Sequence, residues 1–136
     1  MAEIASIPLE AAPGRILIVD DDEAVLELLE EFLGRAGHES QRATGGREAI
    51  EAFRRGIDEI GLVVLDMTMP DIDGREAFEA IRSLRADVPV VLATGHGLGK
   101  LADTFSGESR VSILQKPYEP EQLFEAISAA SRTQGT

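Results

Sequence analysis

Four short apolar runs and one weaker polar run alternate along the chain with stretches of helical period. Arg15-Ile-Leu-Ile-Val19 ends at Asp20-Asp21, Gly61 to Asp66 ends in a carboxylate, Val88 to Ala93 ends at Thr94, and Val111-Ser-Ile-Leu-Gln115 ends at Lys116-Pro117. Short β-rich runs closed by polar residues read as buried parallel strands that deliver side chains to one edge of a sheet. His38 to Ala43 is a weak, polar strand suited to a sheet edge. Between the runs, Val25, Leu28, Leu29, Phe32 and Ala36 recur at i, i+3, i+4 and i+7, which predicts an amphipathic helix stopped by Gly37. Thr44 is the expected cap of a second helix, with Ala49, Ile50 and Phe53 inward and Gly56 at its end. Asp73-Gly74 opens a third, with Ala77, Phe78, Ile81 and Leu84 inward. Gly95, Gly97 and Gly99 shorten any fourth helix, at about 1 kcal/mol each in a helix interior. Pro120 opens the last, which carries Leu123, Phe124 and Ile127.

The alternation is (βα)5, an α/β chain. Right-handed crossovers make it a doubly wound parallel five-stranded sheet, with flavodoxin-like order 2-1-3-4-5 the expected arrangement. Open sheets of this kind build their sites beyond the carboxyl ends of the strands. Asp20, Asp21, Asp66 and Lys116 all fall at that edge. Three carboxylates and an ammonium suit a divalent cation and a phosphoryl group.

Ile16-Leu-Ile-Val-Asp-Asp-Asp22, Leu65-Asp-Met-Thr-Met-Pro-Asp-Ile-Asp-Gly74, Val91-Leu-Ala-Thr-Gly95 and Leu114-Gln-Lys-Pro-Tyr118 follow one another at intervals that resemble the receiver domain of two-component response regulators. The wording looks most like receivers attached to hybrid sensor histidine kinases. The resemblance covers about 15–132, leaving 1–14 as an arm or linker and 133–136 as a tail. It implies that Asp66 is a phosphoacceptor for a histidine kinase or a histidine phosphotransfer protein, and that the domain catalyses its own phosphotransfer and hydrolysis without a separate substrate. It implies Mg2+, with Mn2+ as a substitute, held directly by Asp21, Asp66 and the Thr68 carbonyl and through water by Asp20. Thr94 and Lys116 would bind phosphoryl oxygens, and the Lys116-Pro117 bond is usually cis in the family. Asp22 and Glu23 belong instead to the helix start, where negative charge suits the dipole. Thr68 and His96 occupy variable positions that tune hydrolysis, although His96 is read first as a solvated loop residue. His38 is read as structural. One departure stands out: Ile113 occupies the place of an aromatic switch residue, so output would rest on the glycine-rich loop from Thr94 to Lys100, starting at Gly95.

Composition narrows the partners. Thirteen basic against 25 acidic residues give a net charge of −12, which disfavours nucleic acid and anionic membrane surfaces. No cysteine is present, so thiol catalysis and disulfides are excluded, and residence in the cytoplasm is expected. The first fourteen residues lack the basic start of an export signal. A phosphatase with an aspartyl nucleophile would want an acid two residues after Asp66, where Thr68 stands. A flavin module finds no Trp and one Tyr for stacking, and a calcium loop at Asp71-Ile-Asp-Gly74 meets Ala80 where an acid is needed. A phosphate-independent docking module, a homodimer, a stand-alone regulator and the receiver of a hybrid kinase all remain compatible with the chain.

Overall fold

Strands β1 (Arg15–Val19), β2 (Ser40–Ala43), β3 (Ile60–Asp66), β4 (Val90–Thr94) and β5 (Val111–Gln115) form one parallel sheet of order β2-β1-β3-β4-β5. Helices α1 (Glu23–Arg35), α2 (Gly46–Arg55), α3 (Gly74–Leu84), α4 (Leu98–Thr104) and α5 (Pro120–Ser131) alternate with the strands. This computed structural model describes residues 14–132. The arm expected over 1–14 lies outside the described residues except for Gly14, and so does the tail over 133–136.

Strand side chains alternate between two cores, as the pleat requires. Ile16, Ile18, Leu62, Val64, Val91 and Leu114 pack with α1 and α5. Leu17, Val19, Val63, Leu65, Val90 and Leu92 pack on the opposite face with α2 and α3. All seven residues of β3 are buried. Because β3 is covered on both faces and paired on both edges, its last residue is held among backbone that has little freedom to move.

Three local expectations need correction. The core stripe of α1 is Leu26, Leu29 and Leu33 with Ala36, whereas Val25 and Phe32 are half-buried and Leu28 is 46% exposed. Apolar residues are so dense here that two stripes satisfy the helical period, and packing on β1 and α5 selects the second. Thr44 does not cap α2: its amide and hydroxyl both donate to Glu48 Oε1 at 2.8 Å. The cap comes from Asp71, 25 residues away, which accepts from the Gly46 and Arg47 amides at 3.0 Å each. Those two bonds hold the Asp71 carboxyl below its ordinary range. His38 is buried in the turn before β2 and not in the strand, and burial pushes its imidazole pKa down. Gly37 does end α1, with φ of 87°.

Candidate functional site

β1 and β3 are adjacent and in register at Val19 and Leu65, so the residues that follow, Asp20 and Asp66, leave the sheet side by side. Both are 2% exposed, while neighbouring Asp21 is exposed. Carboxylate oxygens of Asp20, Asp21 and Asp66 lie within 4.8 Å of one another. Lys116, one residue beyond β5, reaches across β4 and places Nζ 2.7 Å from Asp20 Oδ2 and 3.4 Å from Asp66 Oδ1. The Lys116-Pro117 bond that precedes the turn into α5 is cis. Burial disfavours the ammonium, but the hydrogen bond and charge of Asp20 and the charge of Asp66 outweigh it and raise the Lys116 pKa.

Each acid is fixed by backbone close to it in sequence. Asp20 Oδ1 accepts from the Asp22 amide at 2.9 Å, so both of its oxygens are engaged. Asp22 caps α1 by accepting from the Ala24 amide at 2.9 Å, as its place at the helix start predicts. Asp66 Oδ1 accepts from the Thr68 amide at 3.2 Å and the Thr68 hydroxyl at 3.1 Å. With Lys116 on the same atom, every donor found among the described residues converges on Oδ1 and none reaches Oδ2. The carboxylate therefore has one pinned oxygen and one available oxygen.

Thr94 closes β4 beside Asp66 and is 3% exposed. Its hydroxyl donates to the His96 carbonyl and accepts from the His96 amide at 3.3 Å. Gly95, His96 and Gly97 are exposed, and Gly97 adopts φ of 75°. Short α4 follows, with no wholly buried side chain. Ile113 is half-buried and packs on the face that carries α2 and α3. Sequence reasoning assigned Tyr118 no role, yet the charges of Asp20 and Asp66 reach its phenol. Burial, together with the charges of Asp20 and Asp66, raises its phenol pKa far above the ordinary value. The signal was its place two residues after Lys116 at a strand end.

Three carboxylates against one ammonium leave surplus negative charge at a set of oxygen donors. That set is compatible with a hard divalent cation. Residues 16–128 match the response regulator receiver domain. The chain belongs to that family. Among curated relatives, this receiver domain is 37% identical over 120 residues to the uncharacterized transcriptional regulatory protein YrkP of Bacillus subtilis, covering 87% of this chain and 49% of that protein. It is 28% identical over 119 residues to the chemotaxis protein CheY of Thermotoga maritima, covering 87% and 98%. The solved response regulator receiver protein from Sinorhizobium medicae superposes with a TM-score of 0.77 at 29% identity, covering 87% and 94%. The chain spans between 26% and 49% of the first regulators it matches. Receiver domains are modules of two-component signalling that interact with histidine kinases, and they do not turn over a separate substrate. Among the described residues, no helix is long and apolar enough to cross a membrane.

Proposed function

We propose that Asp66 Oδ2 accepts a phosphoryl group from the phosphohistidine of a histidine kinase or phosphotransfer protein. The observation that carries this reading is the asymmetry of Asp66, whose donors all sit on Oδ1 beside a cation-suited trio of acids. Oδ2 attacks phosphorus, the donor's phosphorus–nitrogen bond breaks, and the bonding pair remains on the imidazole nitrogen, which then takes up a proton. Bound Mg2+, or Mn2+ in its place, supplies positive charge that offsets repulsion between carboxylate and phosphoryl oxygens. Asp21, Asp66 and the Thr68 carbonyl are suited to bind the ion directly. Asp20, with both oxygens already engaged, is suited to bind it through water.

Lys116 turns its ammonium toward a phosphoryl oxygen, and its rigidly paired position lowers the cost of aiming it. Thr94 exchanges the His96 carbonyl for a phosphoryl oxygen as its acceptor, which couples phosphorylation to the loop from Gly95 to Gly99, more ordered with phosphate than without it, and alters α4. Water later attacks phosphorus and restores the carboxylate, so phosphorylation and its reversal are both properties of this domain. The exposed His96 ring serves as a solvated loop residue. We place the receiver unit at 15–132, working in the cytoplasm, with output or homodimer contacts through α4 and α5.

Intact-protein mass spectrometry after incubation with acetyl phosphate tests this directly. Gain of one phosphoryl group that requires Mg2+ and is lost in Asp66→Ala is the expected result. No gain by the folded wild-type protein, with the adduct trapped quickly, would replace the proposal with a phosphate-independent docking module.

A further inference from the structure

We infer that Asp71 is a positioning residue for the phosphoacceptor: by gripping α2 it holds the loop from Met67 to Gly74 in the shape that sets Thr68 against Asp66. This rests on the phosphoacceptor reading of Asp66. The loop is fastened at both ends and in the middle. At its far end, Gly74 lies so close to the backbone of the first loop residue that an added Cβ would fall 2.7 Å from Met67 Cα. In the middle, Met69 and Ile72 are buried among the residues of α2 and α3. Ile72 fills the space where a Cβ on Gly46 would otherwise lie. Asp71 stands between these two anchors and is itself exposed, so apolar burial does not hold it. Its carboxylate spans two successive α2 amides, with Oδ1 on Gly46 and Oδ2 on Arg47, both at 3.0 Å. The body of α2 is immobilised by Ala49 and Phe53, each fully buried.

A rigid helix therefore acts through Asp71 on a loop that includes Thr68, and Thr68 supplies two of the three donors on Asp66 Oδ1. Releasing Asp71 would free Thr68 to shift, and with it the direction in which Oδ2 points. Misplacement of a reacting group by about 1 Å costs on the order of 100-fold in rate, so we expect Asp71→Ala to slow phosphorylation by roughly 10- to 100-fold.

Asp71→Ala also removes a helix cap, and the test must separate the two effects. Gly45 is the N-cap residue of α2 with extended backbone, φ −165°, and no capping side chain. A Cβ there would lie 3.0 Å from Asp71 Oδ2, an obstacle that Asp71→Ala removes. Gly45→Ser combined with Asp71→Ala thus gives α2 a local cap while leaving the loop untethered. The expected result is recovery of the melting temperature in the double variant, with phosphorylation by acetyl phosphate still slow and hydrogen exchange at the Thr68 amide faster than in wild type. A wild-type phosphorylation rate in the stabilised double variant would overturn the inference, leaving Asp71 as a helix cap alone. So would unchanged exchange at Thr68. Should the wild-type protein take up no phosphate, the phosphoacceptor reading fails by itself, and exchange at Thr68 still decides whether Asp71 positions the loop.

Discussion

Replacing Lys116 by methionine keeps most of the side chain's apolar bulk and deletes its charge. In the folded protein that charge faces Asp20 at 2.7 Å and Asp66 at 3.4 Å. At an effective dielectric constant of about 20, these separations correspond to Coulomb attractions of roughly 6 and 5 kcal/mol. Desolvating the ammonium offsets much of this, and removing one member of a buried pair generally costs about 3–5 kcal/mol. The Lys116 side chain retains 23% of its exposure, which places it below that range, at about 2–3 kcal/mol. For a domain of this length the loss amounts to a fall of about 6–15 °C in melting temperature. The assay is thermal unfolding followed by circular dichroism, with chelator and then with millimolar Mg2+. Chelated protein should show the full loss, because Asp20, Asp21 and Asp66 are left to repel one another, and Mg2+ should restore most of it. The pH dependence carries a definite sign. Lys116 has a raised pKa in the folded state, so its stabilisation is fully present below the ordinary lysine value and is lost as pH climbs through the raised one. Wild type should therefore lose stability in strongly alkaline solution by an increment that Lys116→Met lacks. A melting temperature for Lys116→Met equal to wild type in chelator would refute this account of the site's electrostatics.

Two further outcomes follow from the packing. Leu28→Ser on the exposed side of α1 should change stability by less than about 0.5 kcal/mol, whereas Leu29→Ala should cost about 2–4 kcal/mol; urea titrations of the pair would show losses of similar size if the helix were phased by the sequence periodicity, which turns both leucines inward. Tyr118 is the only tyrosine and there is no tryptophan, so absorbance near the tyrosinate band reports it alone. It should stay protonated well past the ordinary phenol value, and a reversible ionisation of the folded protein at about pH 10 would contradict the combined effect of its burial and the charges of Asp20 and Asp66.

The strand ends were readable because each apolar run halts at a charged or hydroxyl residue that the fold brings to one edge of the sheet. Asp20, Asp66, Thr94 and Lys116 could be placed at one edge by strand length and crossover handedness alone. Helix phase in α1 was not readable. Val25, Leu26, Leu28, Leu29, Phe32 and Leu33 support two apolar stripes, and only contact with β1 and α5 chooses between them. Nor was the cap of α2, since Thr44 has the right chemistry at the right place, while the acceptor that serves is Asp71 from a loop 25 residues on. Local pattern finds residues whose partners are near in sequence or set by strand order. It misses a carboxylate whose partner is brought close only by tertiary folding. The pinning of Asp66 by Thr68 belongs to the same class, because residue spacing says nothing of which oxygen receives the bonds.

Helix α4 buries no side chain completely, and Gly95 and Gly97 before it and Gly99 within it have open space where a Cβ would go. Little apolar contact is forfeited when such a helix tilts, so its alternative orientations are separated by small free energies. The lever proposed to act on it is one hydroxyl, that of Thr94, and a single hydrogen bond contributes about 1 kcal/mol net. That is a factor of roughly five in an equilibrium constant. Signalling through this element would then be graded rather than all-or-none, a bias on a mixture of orientations already sampled at rest, and the partner that reads α4 would contribute much of the remaining selection by binding one of them.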